Sequence, residues 1–218
     1  MTDSQQSIAD LRVIKKMMER SSRFISLSGL SGISAGICAL VGAYIASDYV
    51  FGYKDFRMYG AYDTPMLRDG SLFENKLFYI AAGTLIAAIV SAFLFTWLKS
   101  RREGVAIWGA SALRLLINLG IPLLVGAVFL LRLIQFGTFG LIAPGCLIFY
   151  GLALVNASKY TLDDVRYLGY MQIITGIINL WFVGYGLYFW AFGFGVLHLL
   201  YGASMWWKYE RNNNDNQA

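Results

Sequence analysis

Three polar side chains stand in the most apolar part of this sequence: Gln172, Asn179 and the single histidine, His198. Gln172 and Asn179 are seven residues apart, which places them on one face of a helix. If the chain reverses near Gly184–Gly186, antiparallel pairing brings His198 level with residue 172 or 173. Asn179 then lies further along, towards Trp190 and Phe194. An imidazole in such a place can take up a proton or hold a ligand. It can also do no more than fasten two helices by a hydrogen bond, a contact of about 0.6 kcal/mol on average inside membranes. The fastening role is the simpler expectation, with Gln172, Asn179 and His198 as the candidate ligand-binding residues otherwise.

Several chemistries lack their parts. One histidine without a neighbouring carboxylate or second imidazole makes a poor metal site, so no metal and no cofactor is expected. Phosphate-cradling glycine loops with Lys and Ser/Thr are missing, and so are paired carboxylates within the apolar stretches. Serines are present in the first apolar stretch, but none is marked as a nucleophile, and no catalytic residue is assigned. The expected role is therefore a non-enzymatic membrane module that binds lipid or protein. The alternative is a small carrier or channel-like protein for an apolar or uncharged ligand, and an enzyme on a lipid-phase substrate comes third.

The elements that must position these residues are helices in a membrane. From Tyr167 to Trp207 the chain runs 41 residues without Asp, Glu, Lys or Arg. A spanning helix needs about 20 apolar residues, so this run is long enough for two. Charged residues make up 14% of the 218 residues, against about 25% in a soluble domain. Uncharged runs predict an all-α polytopic protein of six transmembrane helices, at about 25–46, 77–98, 115–135, 138–157, 165–184 and 187–207. An amphipathic interfacial helix over 4–24 precedes them. A connection over 47–76, rich in tyrosine, lies outside the membrane, and a polar tail over 208–218 closes the chain.

Orientation follows from Lys and Arg near the span ends. Arg12, Lys15, Lys16, Arg20 and Arg23 precede the first span. Lys99, Arg101 and Arg102 follow the second, Lys159 and Arg166 separate the fourth from the fifth, and Lys208 and Arg211 follow the sixth. With six spans all of these fall on one side, which places both termini in the cytoplasm. This accounts for the net charge of +5 without a nucleic-acid partner. The charged first 24 residues lack the apolar core of a cleavable signal peptide, so the first span is expected to stay as an anchor.

Within 4–24, Arg12, Lys15, Lys16 and Arg20 alternate with Ile8, Leu11, Ile14, Met17 and Met18. That pattern suits a helix lying on anionic lipid, or one docking a cytoplasmic or membrane protein partner. Ser28, Gly32 and Gly36 repeat every four residues beside Ala35, Ala39 and Ala43, a stripe for close helix packing within the chain or in a homodimer. Arg114 and Arg132 lie 18 residues apart, about 27 Å along a helix. That separation lets both snorkel to opposite interfaces, leaving Gly104–Leu113 as an in-plane or tilted approach. Pro122 lies inside the third span, where it could kink the helix. Pro144 suits the first turn of the fourth, and Thr161 with Asp164 reads as a capping box for the fifth. Cys38 and Cys146 read as small packing residues. The lead-in Ile14-Lys15-Lys16-Met17-Met18-Glu19-Arg20 to Ser26–Gly36, and the closing Gly195-Val196-Leu197-His198-Leu199-Leu200-Tyr201-Gly202, resemble small multi-span proteins of bacterial inner membranes. That resemblance implies a location and no activity.

Overall fold

The computed structural model describes residues 28–51, 76–104 and 108–211. The expected helix over 4–24, with Arg12, Lys15, Lys16 and Arg20, lies outside the described residues, as does most of the 47–76 connection. Among the described residues every element is a helix: α1 (Gly29–Phe51), α2 (Lys76–Glu103), α3 (Ala110–Gln135), α4 (Ile142–Ala157) and α5 (Asp164–Trp181). A last helix, α6, runs over 186–211 as alternating α and π segments. Short 3-10 turns flank α4 on both sides.

Five stretches are long and apolar enough to cross a membrane: Gly29–Asp48, Lys76–Arg102, Ala110–Gln135, Phe139–Tyr160 and Gly186–Tyr209. They make this a candidate multi-pass membrane protein. Helix α5, at 18 residues, is not among them. Its length of about 27 Å is close to a hydrocarbon thickness, but Asp164, Arg166, Gln172 and Asn179 lower its apolar content.

Several boundaries differ from the sequence reading. Residues 110–113 belong to α3 instead of an in-plane approach, because nothing in Ala110–Leu113 breaks a helix. Gly104, at φ +65°, closes α2 in the left-handed region that glycine tolerates. The polar tail expected from Lys208 begins later, since α6 continues to Arg211. Asp164 opens α5, but its carboxylate is taken by α6. Lys208 Nζ donates to both oxygens at 3.0 and 2.9 Å, and Tyr209 Oη donates to Oδ2 at 2.8 Å. These bonds hold the end of α6 in register. Pro122 is accommodated within α3, and Pro144 falls in the first turn of α4. At the far end of α3, Gly137 at φ +72° completes a Schellman cap, with Thr138 N–H donating to Leu133 O and Gly137 N–H to Ile134 O.

The helices form an open row. Helix α6 lies at its centre, with α1 on one side and the α4–α5 pair on the other; α2 packs on α1 and α3 on α4, forming the two edges. Glycines set the closest approaches. On α1, a Cβ at Gly32 would stand 3.1 Å from Gly202 Cα, and one at Gly36 would stand 2.8 Å from Gly195 O. The small-residue face of α1 is thus occupied by α6 of the same chain. Between α4 and α5 the approach is reciprocal: Cβ atoms at Gly151 and Gly169 would meet the other's carbonyl oxygen at 2.7 and 2.8 Å. Contacts this close let dispersion and backbone dipoles join the helices where no hydrophobic effect operates.

Candidate functional site

The reversal after α5 builds the site. Helix α5 ends at Trp181, and Phe182 to Tyr185 turn the chain into α6 at Gly186. Asn179 helps to close this turn. Its Nδ2 donates to Phe182 O at 3.1 Å, and Phe182 N–H donates back to Asn179 O at 3.0 Å. Asn179 is fully buried, and its hydrogen bonds serve the turn.

Gln172 and His198 do meet, on the carbonyl of Gly193. Gln172 Nε2 donates to Gly193 O at 2.7 Å, and His198 Nδ1 lies 3.1 Å from the same oxygen. From α4, Tyr150 Oη stands 2.8 Å from His198 Nε2. One tautomer suits these distances. With the proton on Nδ1, the ring donates to Gly193 O and Nε2 accepts from the Tyr150 hydroxyl. The reverse tautomer sets two acceptors 3.1 Å apart, whereas the chosen one leaves only the longer 3.4 Å approach of Gln172 Nε2 to Nδ1 without a match.

Gly193 can serve as a double acceptor because of where it sits. Ala191–Leu197 is a π segment, whose wider turn loosens the usual carbonyl ladder at a helix interior. Glycine also leaves the oxygen reachable from the side. A Cβ there would collide with Leu147 Cδ2 and stand 2.7 Å from Gln172 Oε1. Leu147 and Gln172 are both 0% exposed and His198 is 6% exposed, while Tyr150 and Phe194 are partly buried, so the cluster is largely enclosed by protein. Aromatic rings complete the wall. Phe194 lies 5.1 Å from both Tyr150 and Trp190 between ring centroids, and His198 stacks on Tyr150 at 5.5 Å.

Three buried side-chain atoms among the described residues have no hydrogen-bond partner: Gln172 Oε1, Asn179 Oδ1 and Tyr201 Oη. All three belong to α5 or α6. At the far end of that seam, burial alone would raise the Asp164 carboxyl. The hydrogen bonds from Lys208 and Tyr209, with the Lys208 charge, outweigh burial and hold it below its ordinary value.

The sequence candidates therefore separate. Gln172 and His198 come together, Asn179 does not join them, and Tyr150 and the Gly193 carbonyl complete the cluster. Arg114 and Arg132 are exposed at opposite ends of α3, Arg132 lying over the Phe136 ring at 4.6 Å. Cys38 and Cys146 are free thiols on different helices, Cys38 Sγ resting 3.8 Å from Ser91 Oγ. No group of three His, Cys, Asp or Glu side chains able to hold a metal occurs among the described residues. As chemistry, the cluster offers a phenol-to-imidazole hydrogen bond within a ring of neutral groups; as structure, it ties α4, α5 and α6 at one depth. Compared with known proteins, the chain matches no family model, no curated protein and no solved structure, so its function must be argued from this geometry.

Proposed function

We propose that the chain is a non-enzymatic membrane module that binds lipid or a protein partner along its two edge helices. It would span a bacterial inner membrane six times, with both termini in the cytoplasm. One observation carries this reading. In the most apolar stretch of α2 no residue is buried within the fold, and in α3 only 6% are, against a third in α1 and in the stretch containing α4. Among the described residues the row of helices is unclosed, and its two outer members present apolar surface open to lipid or to a partner in the membrane plane.

Two further features support it. Contacts around Gly193 favour a closed core over the hydrated passage that a carrier needs. Counting α5 as the sixth span fits its burial: Gln172 and Asn179 face protein, which a polar residue at membrane depth requires. Six crossings also bring Lys99, Arg101, Arg102, Lys159, Arg166, Lys208 and Arg211 to one side.

The test is photo-crosslinking in native membranes from probes at Leu85 on α2 and Leu124 on α3, both exposed. A recurrent lipid species or protein adduct is expected at one edge or both. Adducts that only mirror bulk lipid at both positions would sink the reading. Orientation is checked separately: a cysteine at Gly60 should react with an impermeant thiol reagent on intact cells. Reaction only after permeabilisation would invert the topology.

A further inference from the structure

The outer face of α2 sets an apolar concavity directly beside a stacked Trp–Arg pair. Ile89, Val90, Phe93, Leu94 and Trp97 line a shallow concavity of about 300 Å³. One turn beyond Trp97, the Arg101 guanidinium lies 4.6 Å over its indole ring. Arg101 and Arg102 are both exposed in the last turn of the helix. Within the α2 sequence Glu103 is the sole acid, against Lys76, Lys99, Arg101 and Arg102.

Distances along the helix match one lipid in one leaflet. Ile89 to Arg101 is 12 residues, about 18 Å, a little more than half of a hydrocarbon core about 30 Å thick. The apolar concavity thus lies at acyl-chain depth while the arginines reach the headgroup level. Stacking on Trp97 restrains Arg101 where a phosphate would lie, and a planar guanidinium can donate two parallel hydrogen bonds to phosphate oxygens. Charge complementarity selects the occupant, since a zwitterionic headgroup gains less than an anionic one beside two arginines.

We infer that α2 carries a binding site for one anionic phospholipid, its acyl chain along Ile89, Val90, Phe93 and Leu94 and its phosphate on Arg101 and Arg102. This rests on the edge-helix reading above and names the class of ligand at one of the two edges. The site differs from the sequence-expected lipid surface of residues 4–24, because it selects a single molecule and not a charged surface.

The experiment uses the full chain in nanodiscs of phosphatidylcholine with a minor share of phosphatidylglycerol. Native mass spectrometry then reads the phospholipid retained on the protein. Wild type should retain phosphatidylglycerol in excess of its share of the bilayer. Arg101→Gln and Arg102→Gln should each lower that excess about fivefold, the worth of roughly one basic residue at a lipid surface. Val90→Trp, which fills the concavity and leaves both charges, should lower it too. The charge-matched single variant Arg166→Gln, at an exposed arginine on α5, should not. Equal loss in that control would show a general surface potential and overturn the site, as would undiminished retention in Val90→Trp. A chain that fails here while Leu124 still captures a recurrent adduct would lose this site and keep the edge-helix function. Failure of both probes with retention intact would do the reverse.

Discussion

Replacing Gly193 with alanine tests whether the Gln172–His198–Tyr150 cluster is as tightly closed as its contacts imply. The added Cβ collides with Leu147 Cδ2 and sits 2.7 Å from Gln172 Oε1. Neither neighbour has room to retreat, since both are 0% exposed. Overpacking of this kind costs about 1–3 kcal/mol. Moving the Gln172 amide off Gly193 O loses a buried hydrogen bond worth about 1 kcal/mol more. The sum, about 2–4 kcal/mol, corresponds to a melting temperature lower by roughly 4–16 °C in a chain of this size. Gly83 supplies the comparison, because a Cβ there meets nothing within 4 Å and alanine is the better helix former by about 1 kcal/mol. Gly83→Ala should therefore match or exceed wild type. Thermal unfolding of both variants in the same detergent, followed by tryptophan fluorescence, reads the difference. Adding Leu147→Val to Gly193→Ala should recover part of the loss, by relieving the collision. If Gly193→Ala melts with Gly83→Ala, the close packing of this seam is wrong, and the case against a hydrated passage goes with it.

Tyr150→Phe should lower stability by about 1–3 kcal/mol, since it leaves His198 Nε2 buried without its donor; a melt equal to wild type would remove Tyr150 from the cluster. Gln172→Leu should cost less than Gly193→Ala, because it loses one bond to Gly193 O but also removes the unpartnered Oε1, and unfolding in detergent ranks the two. Gly151→Leu should separate α4 from α5, with a loss above about 3 kcal/mol by the same assay, whereas Gly120→Leu on the open face of α3 should be tolerated. The depressed Asp164 carboxyl stabilises the fold above the ordinary carboxylate range, and that contribution is lost as pH falls through its lowered value. Protection of the 206–211 amides, taken relative to their slower intrinsic exchange at low pH, should accordingly fall at acid pH in wild type, and Lys208→Met should remove much of that dependence.

The meeting of Gln172 with His198 was legible because it needs only a turn position and the rule that antiparallel residues pair symmetrically about it. Uncharged runs located the helices to within a few residues, apart from helix ends such as 98–103 and 208–211 that continue through charged residues. Tyr150 was not legible. It is one of fourteen tyrosines, it lies 22 residues from Gln172, and only the packing of α4 on α5 brings it to the ring. The role of Gly193 was half visible: the Gly193-Phe194-Gly195 step stands out, but that it lies within a π segment depends on three-dimensional contacts. The α1 glycines formed a repeat and could be read as a packing face. Gly151 and Gly169 have no such repeat, and their facing carbonyls appear only once both helices are placed.

The polar face of α5 also bears on how the chain enters the bilayer. A helix with Gln172 at its middle, Asn179 near its end and two charges in its first turn partitions poorly on its own. Under the six-span reading, α5 gains its partners only when Gly193 and His198 of the following helix arrive beside it. The translocation machinery would thus have to hold α5 until α6 is made, releasing the two as a hairpin. A chain stopped after Trp181 would then leave α5 at the membrane surface, whereas under the same reading the finished protein carries it inside.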